Sequence, residues 1–221
     1  MGLDVSSWQH PAAKPIEWDA VRGAGYTFVI IKATQGATYL NPWLKRDAED
    51  AYAEGLLVGA YHFYEAGTDP GAQSAHFKTY VAELHLDLGC WLDFEVAPVA
   101  QWTMAGWVNG FIEGCKPELD KVGLYCGVDM WLELKGANVA PSGLWAAYDA
   151  DATPPAGVTI QQIGWAIVPG VPADVDTDRL LTNRAINLPT TPGPRPSAQT
   201  VHSVVPADDD KALEAPAEAS A

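Results

Sequence analysis

Apolar segments that predict β-strands alternate with amphipathic segments that predict α-helices along most of the chain. The strand-like segments lie at residues 3–6, 26–32, 56–63, 89–95, 122–125, 143–147, 158–162 and 174–176. The helical segments lie at residues 18–22, 41–54, 70–84, 102–115 and 130–134. Strand segments such as 26–32 are too uniformly apolar to have a solvated face, which is typical of strands buried on both sides.

This alternation predicts the fold class. Strands that alternate with helices and are buried on both faces form parallel sheets. Eight such strands are enough to close into a barrel. We therefore expect an α/β protein with an irregular (β/α)8-like, TIM-type barrel, and with fewer helices in its second half, where helical segments become sparse.

The composition of the chain changes at about Leu188. Four prolines follow closely, and the sequence then becomes rich in Ala, Asp and Glu without any periodicity. Segments of this kind bury too little apolar surface to fold. We therefore predict a barrel domain at residues 1–187 and a Pro-rich, then acidic, disordered tail or linker at residues 188–221.

Two carboxylates, Asp93 and Glu95, close the strand-like segment 89–95. Side chains alternate along a strand, so these two acids share one face while Phe94 points to the other. Their Cα atoms would lie about 7 Å apart, and two acids crowded at an apolar strand end do not both ionise freely. One should hold its proton near neutral pH and serve as a general acid; alternatively, both acids simply meet solvent or pair with lysine.

Polar or aromatic residues also stand at the downstream ends of other predicted strands. They are Asp4, Lys32, Tyr61, Tyr125 and Asp176. In a parallel barrel the carboxyl ends of the strands meet at one rim, where the active sites of such barrels lie. A lone strand-end acid is usually a cap or a solvated residue, but four acids and a lysine at one rim indicate a functional site.

The charge of the chain limits its partners. The formal net charge is −15, and no basic stripe is present. We therefore expect no binding to nucleic acid and no simple electrostatic attraction to an anionic surface. The last 21 residues carry a net charge of −4, so the acidity belongs mainly to the predicted barrel.

The three cysteines and five histidines do not indicate a metal or cofactor site. Cys90, Cys115 and Cys126 lack metal-ligand spacing, and the histidines are scattered. Cys90 and Cys126 lie in apolar, strand-like contexts, so we predict that they are small core residues. We expect neither a metal nor a cofactor.

The amino terminus and the hydropathy of the chain bear on its location. The segment starting at Met1 has no basic region followed by an apolar stretch, so we predict no signal peptide. No run approaches 18 apolar residues, so we predict no membrane span and no stable membrane association.

Several motifs follow one another in a recognisable order. G-L-D-V-S-S-W-Q opens the chain, and F-V-I-I-K-A-T, G-A-Y-H-F and W-L-D-F-E follow, with weaker V-G-L-Y, L-W-A-A-Y and V-D-T-D-R-L further on. In this order and spacing, the span from Gly2 to about Leu180 resembles the glycoside hydrolase family 25 lysozymes, the Chalaropsis-type N-acetylmuramidases common as phage endolysins. The resemblance implies an irregular β/α barrel that cleaves the β-1,4 bond between N-acetylmuramic acid and N-acetylglucosamine in peptidoglycan.

The resemblance also implies roles for individual residues. Glu95 matches the general acid that protonates the leaving glycosidic oxygen, and Asp93 matches the carboxylate that assists the reacting sugar. Asp4 and Asp176 match two further acids that line the groove. The substrate-binding positions that the resemblance implies are Lys32, Tyr61, Phe63, Tyr125, Trp145 and Tyr148.

The sequence departs from the family pattern at three places. Gln35 stands where Glu is usual after Lys-Ala-Thr, which removes one charge but keeps hydrogen bonding. The usual Trp-Gln-Tyr is replaced by residues 161–163, Gln-Gln-Ile, and Asp149 stands where an aromatic residue often closes the Trp-x-Ala-x-Tyr segment. The second half therefore has fewer aromatic side chains for stacking on sugars than the family pattern has.

These observations lead to one main hypothesis and two alternatives. The main hypothesis is a peptidoglycan muramidase that binds glycan strands as a monomer. The resemblance to endolysins places it in the host cytoplasm until a separate membrane-permeabilising protein releases it to the wall. The alternatives are a non-catalytic glycan-binding barrel of a phage structural component and a chitinase-like glycosidase, although residues 87–90 lack the run of acids expected for the latter.

Overall fold

The structure, a computed structural model, describes residues 1–96, 103–119 and 121–181. Its strands are β1 (Gly2–Val5), β2 (Phe28–Gln35), β3 (Tyr39–Leu40), β4 (Leu57–Phe63), β5 (Cys90–Asp93), β6 (Val122–Gly127), β7 (Leu144–Ala147), β8 (Val158–Ala166) and β9 (Val175–Leu180). Its α-helices are α1 (Trp18–Gly23), α2 (Leu44–Ala53), α3 (Pro70–Val81), α4 (Met104–Cys115) and α5 (Val128–Leu134). None of these helices is long and apolar enough to cross a lipid bilayer. The predicted tail and its boundary at residue 187 lie outside the described residues.

Eight of these strands form a closed barrel. The order around the ring is β1, β2, β4, β5, β6, β7, β8 and β9, and pairing of β1 with both β2 and β9 closes it. The short strand β3 pairs antiparallel with the end of β2, outside the ring. The described helices lie mainly between the earlier strands. The predicted irregular TIM-type barrel is therefore confirmed.

The direction of the last strand differs from the prediction of a wholly parallel barrel. β9 is antiparallel to both of its neighbours, β8 and β1. Only residues 167–174 connect β8 to β9, and a parallel crossover needs about a dozen residues. Asp176 consequently lies near the upstream end of its strand rather than the downstream end, and it reaches the rim because the strand is reversed.

Apolar side chains form two layers, one inside the barrel and one between the barrel and its helices. In β2, Phe28 and Ile30 belong to the inner layer, whereas Val29 and Ile31 belong to the outer layer. This alternation follows from the two-residue period of a strand. The remaining buried members of the inner layer are Tyr61, Leu88, Trp91, Tyr125, Trp145 and Ile160.

The inner layer is packed closely around aromatic rings. Trp91 contacts Trp145 edge to face, with ring centroids 6.1 Å apart, an arrangement that aromatic pairs favour. A Cβ atom at Gly123, on the neighbouring strand, would lie 2.3 Å from the Trp91 ring, so only glycine fits there. This apolar plug fills the barrel below the rim and supports the polar residues at its mouth.

The local sequence determines where helix α3 begins. The Asp69 side chain accepts hydrogen bonds from the backbone N–H groups of Gly71 and Ala72, at 2.8 and 3.2 Å. Pro70 occupies the first helical position, where its missing N–H costs nothing. The helix starts where the sequence predicts and ends at Val81, three residues earlier than predicted.

The three cysteines are free and buried. Burial raises the pKa of each thiol, Cys90, Cys115 and Cys126, to about 12. These groups therefore remain uncharged thiols at physiological pH. The prediction that Cys90 and Cys126 are small core residues is confirmed.

Candidate active site

The acids Asp93 and Glu95 lie at the mouth of the barrel. β5 ends at Asp93, which is buried, and Glu95 follows two residues later in an exposed position. Phe94 points outward, and its ring centroid lies 4.6 Å from that of Tyr64 and 5.7 Å from that of Trp107. The structure thus shows the alternation that the strand period predicts for these three residues.

Asp93 is enclosed, and its Oδ1 atom has no hydrogen-bond partner among the described residues. Burial raises the pKa of this carboxyl well above its usual value, and the charge of Glu95 raises it further, against an opposing effect of Lys32. Asp93 therefore holds its proton to a higher pH than a free aspartate does. A protonated carboxyl with a free oxygen is able to donate a hydrogen bond to a group that enters the groove.

Glu95 combines access to solvent with a raised pKa. The residue is exposed, but barrel atoms displace water from its carboxyl, and this burial is the largest cause of the rise. The nearby Tyr125 hydroxyl lowers the pKa, the charge of Asp176 raises it, and the charge of Lys32 lowers it. Glu95 can therefore hold a proton at higher pH than a free glutamate while facing the groove, as a general acid must.

Asp4 is held in a chain of side-chain hydrogen bonds. The Tyr125 hydroxyl donates to Gln162 Oε1 at 2.8 Å, and Gln162 Nε2 donates to Asp4 Oδ2 at 2.9 Å. Burial, followed by the charge of Asp176, raises the pKa of Asp4 to about 7. The hydrogen bond from Gln162 and the nearby Asp178 side chain oppose this rise. Asp4 therefore titrates close to neutral pH in a fixed orientation.

Asp176 lies directly opposite Asp4 in the antiparallel pairing of β9 with β1. Side chains of directly paired residues have Cβ atoms about 5 Å apart. Burial, followed by the charge of Asp174, raises the pKa of Asp176. The charge of Glu95 also raises the pKa of Asp4. The structure thus brings the four sequence-predicted acids to the same end of the barrel.

Lys32 supplies positive charge among these acids. Burial lowers the pKa of Lys32, while the charges of Asp93 and Glu95 raise it. Its Nζ donates to Gln35 Oε1 at 2.6 Å and lies 4.2 Å from the centroid of the Phe63 ring. The charge of Lys32 in turn lowers the pKa values of both acids.

Tyr61 faces the same group of acids. Burial and then the negative charges of Asp4, Asp93, Glu95 and Asp176 raise the pKa of its hydroxyl well above the usual value. The hydroxyl therefore stays protonated and remains a hydrogen-bond donor. Tyr61, Phe63 and Tyr125 all belong to the inner face of the barrel, as their predicted roles require.

Two predicted substrate-binding residues lie outside the groove lining. Trp145 is only 1% exposed, and its Nε1 donates to Asp178 Oδ1 at 2.8 Å, so it supports the rim from below. Tyr148 packs against the outer layer, on the side that faces away from the barrel interior. The two-residue strand period places residue 147 inward and residue 148 outward, which explains the position of Tyr148.

Three residues of this region were not predicted from the sequence. Gln162 stands at the Gln of the Trp-Gln-Tyr pattern, between the two positions that lack an aromatic residue, and links Tyr125 to Asp4. Trp165, 70% exposed, lies directly opposite Asp176 in the pairing of β8 with β9. Asp178 is completely buried beneath the rim. In the V-D-T-D segment, Asp178 follows Asp176 by two residues, so the strand period predicts that both side chains lie on the same face. This spacing is the sequence feature from which the position of Asp178 could have been predicted.

The chemistry of this site is that of carboxyl groups. Asp4, Asp93, Glu95 and Asp176 all have raised pKa values, and Tyr61, Phe63 and Tyr125 lie on the same inner face of the barrel. Glycosidases cleave sugar linkages with pairs of carboxyl groups, one of which carries the proton for the leaving group. The fold and the site together define a glycoside hydrolase of the barrel class.

The family model described as "Glycosyl hydrolases family 25" matches residues 3–166. The match spans β1 to β8 and includes Asp4, Asp93 and Glu95. The chain therefore belongs to glycosyl hydrolases family 25.

Individual relatives agree with this assignment. The chain is 30% identical over 199 residues to "Lysozyme M1" of Streptomyces globisporus, covering 80% of this chain and 66% of that protein. The fold is similar to that of the bacterial lysozyme from Streptomyces coelicolor, with a TM-score of 0.70, 29% identity and coverage of 85% and 94% of the two chains. The catalytic domain of endolysin ply40 from Listeria monocytogenes bacteriophage P40 shares the fold, with a TM-score of 0.71, 20% identity and coverage of 84% and 94%.

Proposed function

We propose that this protein is a muramidase, which hydrolyses the β-1,4 bond between N-acetylmuramic acid and N-acetylglucosamine in peptidoglycan. The observation that carries the proposal is the pair formed by enclosed Asp93 and exposed Glu95 at the rim of a family 25 barrel. The family assignment and the similarity to lysozymes support this substrate. The acids support the reaction type, because both have raised pKa values.

Glu95 is the proposed general acid. It is open to the groove, and its raised pKa keeps a proton available for the glycosidic oxygen as the bond breaks. Positive charge then develops on the sugar ring. Acids at the rim that are ionised when this happens stabilise the charge, and Asp4 and Asp176 are the proposed residues for this role.

Asp93 is proposed to orient the reacting sugar. Because a raised pKa favours the protonated carboxyl of Asp93 and its Oδ1 is unpartnered, Asp93 is suited to donate a hydrogen bond to the 2-acetamido carbonyl. Its enclosed position fixes the direction of that hydrogen bond. Fixing the sugar in this way lowers the entropic part of the barrier.

The remaining rim residues are proposed to bind the glycan strand. Lys32 and the hydroxyl of Tyr61 provide charge and hydrogen-bond donors, the hydroxyl oxygen of Tyr125 provides an acceptor, and Phe63 provides an apolar surface. Trp165 adds an exposed aromatic face beside Asp176. Flat aromatic rings offer large contact areas at a low cost in conformational entropy.

The proposed biological setting is lysis of a bacterial host at the end of a phage cycle. The similarity in fold to a phage endolysin domain supports this setting. We further propose that the protein acts as a monomer and reaches the wall with the help of a separate membrane-permeabilising protein.

The first test is analysis of the products that the wild-type protein and its Glu95→Gln variant release from purified peptidoglycan. Wild type should release soluble fragments with new reducing ends on N-acetylmuramic acid, detectable by mass spectrometry after borohydride reduction. Glu95→Gln cannot donate a proton, so its rate should fall by about 10²–10⁴-fold. Glu49→Gln, an exposed change on α2, is the matched control and should leave the rate unchanged.

The outcomes separate the proposal from its alternatives. Near-wild-type activity of Glu95→Gln would refute the assignment of the acid. Binding of wild type to the wall with no released fragments would favour a non-catalytic glycan-binding barrel. New reducing ends on N-acetylglucosamine would exclude a muramidase and point to a glycosidase of different bond specificity.

A further inference from the structure

A fifth carboxyl lies beneath the four rim acids. Asp178 is on β9, two residues after Asp176, and is 0% exposed. It faces the barrel interior between β1 and β8, where it pairs directly with Gly2 on one side and Gln162 on the other. A fully buried acid is rare unless its charge is neutralised or shared.

The neighbours of Asp178 satisfy only one of its two oxygens. Trp145 Nε1 donates to Oδ1 at 2.8 Å. Oδ2 has no hydrogen-bond partner among the described residues. The side-chain amide of Gln162, the residue directly opposite, is directed to Asp4 instead, at 2.9 Å. Oδ2 is therefore the atom on which Asp178 would carry a proton.

Asp4 is the acceptor within reach of that proton. Since Asp4 pairs with Asp176 and Gly2 pairs with Asp178, Asp4 and Asp178 are diagonal neighbours across two antiparallel strands. The two carboxyl groups are close enough to affect each other's protonation: Asp4 raises the pKa of Asp178, and Asp178 lowers that of Asp4. Two adjacent carboxyl groups in an enclosed site cannot both ionise freely, so they share one proton.

The surrounding charges determine which carboxyl keeps the proton. Asp178 is surrounded by the barrel interior, with the indole of Trp145 below, and burial raises its pKa well above the usual value. Asp4 accepts from Gln162, faces the groove and has a pKa of about 7. The other charges that act on Asp4 are those of Asp176, directly opposite, and Glu95, and both are negative.

We propose that Asp178 is a positioning residue for the muramidase reaction, which holds a proton on Oδ2 and donates it in a hydrogen bond to Asp4. The donated hydrogen bond fixes the Asp4 carboxylate at the rim and allows it to ionise near neutral pH despite the adjacent acids. The pair then carries one negative charge, placed on Asp4, where the reacting sugar develops positive charge. The catalytic consequence rests on the proposed function, whereas the proton-sharing pair does not.

The test is ¹³C NMR titration of the aspartate carboxyl carbons in wild type, Asp178→Asn and Asp178→Leu. Asparagine retains both interactions, because its oxygen accepts from Trp145 and its amide donates to Asp4. Asp178→Asn should therefore leave the midpoint of Asp4 within about half a pH unit of wild type. Asp178→Leu has similar volume but no donor, so the Asp4 midpoint should rise by about one pH unit or more.

The titration also has a readout that does not need the leucine variant to fold. In wild type, the Asp4 signal should show a second, smaller step at high pH, when Asp178 loses its proton. This step should disappear in Asp178→Asn. Its persistence there, or an Asp4 midpoint that is the same in folded Asp178→Leu as in wild type, would overturn the proposal.

Activity profiles test the catalytic consequence separately. In Asp178→Leu, the acidic limb of kcat should move to higher pH together with the Asp4 midpoint, while KM changes by less than about twofold. Asp178→Asn should follow the wild-type profile at acidic and neutral pH. A wild-type protein that shares the proton but releases no wall fragments would refute the proposed function and leave the carboxyl pair established.

Discussion

At the residue scale, the buried acids at the rim and directly beneath it lower the stability of the fold at neutral pH. An acid whose pKa is higher in the folded chain than in the unfolded chain stabilises the fold below its unfolded pKa of about 4. That contribution is lost as the pH rises toward the folded pKa. Asp4, Asp93 and Asp178 all have raised pKa values, so the melting temperature should decline between about pH 4 and pH 8.

Asp93→Asn tests this directly. The amide cannot ionise, so the cost of enclosing a carboxyl at neutral pH is absent from the variant. We expect its Tm to exceed that of wild type by about 5 °C at pH 8 and to differ little at pH 4, while its muramidase activity falls. Thermal unfolding followed by circular dichroism at the two pH values measures the difference.

A surface aspartate provides the control for this effect. Asp50 on α2 lies 3.4 Å from Arg46 in an exposed ion pair, and such pairs contribute little to stability. Asp50→Asn should therefore change Tm only slightly at either pH. If Asp93→Asn melted below wild type at pH 8, the ionised carboxylate would have to stabilise the fold, contrary to its enclosed position.

At the element scale, a register shift in the hairpin of β8 and β9 places an aromatic side chain beside the acids. Gly164 has a φ of +133°, which favours glycine, and the register of β8 against β9 shifts at this point. The shift inserts one extra residue, as a β-bulge does. It places Trp165 directly opposite Asp176 on the face that carries the acids.

Trp165→Ala tests whether this hairpin contributes to glycan binding. Loss of a stacked aromatic ring costs about 0.5–1.5 kcal/mol, which corresponds to a rise in KM of about 2–12-fold. Because stacking acts equally on bound substrate and transition state, kcat should stay within about twofold of wild type. Steady-state kinetics on soluble, defined peptidoglycan oligomers would measure the rise in KM and the unchanged kcat separately.

Two further variants distinguish loss of the aromatic ring from loss of apolar surface in general. Ile167 is 85% exposed and lies just beyond β8, so Ile167→Ala removes apolar surface without removing a ring. It should leave KM unchanged, and Trp165→Phe should restore part of the lost affinity. An equal rise in KM for Ile167→Ala and Trp165→Ala would indicate a general apolar patch instead of a stacking surface.

The strands themselves follow closely from the sequence, because burial on both faces leaves uniformly apolar segments that are easy to locate. The same two-residue period correctly places Asp93 inward and Phe94 outward. The direction of β9 does not follow from such local patterns. The sequence feature that indicates an antiparallel β9 is the short, Pro- and Gly-containing connection at residues 167–174, which is too short for a crossover helix.

The parts of the site that the sequence did not predict depend on register between strands. Asp178 is paired with Trp145 and Asp4, which lie 33 and 174 residues away along the chain. No spacing within one strand encodes such a contact. Tyr148 shows the same limit, since one residue of difference along β7 decides whether a side chain faces the groove or the outer layer.

At the scale of the whole molecule, net charge affects the encounter with the cell wall. The chain carries −15, of which −11 belongs to residues 1–200. Walls rich in anionic polymer should repel such a protein at low ionic strength. Salt shortens the range of this repulsion to about 8 Å at physiological ionic strength.

Activity on such walls should therefore rise by about twofold or more when salt is increased from about 10 mM to about 150 mM. Turbidity loss of purified walls across a salt series measures this. Walls from the same cells, stripped of their anionic polymer, are the control and should show little dependence on salt. A monotonic fall in activity on the intact walls would show that attraction, rather than repulsion, dominates the encounter.

The reversed direction of β9 also determines where both ends of the barrel lie. β1 begins at Gly2 at the base, and β9 returns to the base at Leu180, where the Leu181 backbone N–H bonds to the carbonyl of Thr159 at the start of β8. The acids are at the opposite end. A protein immobilised on a bead or fused to a carrier through either end of its barrel would thus be attached at the end opposite the acids, with the rim directed away from the carrier.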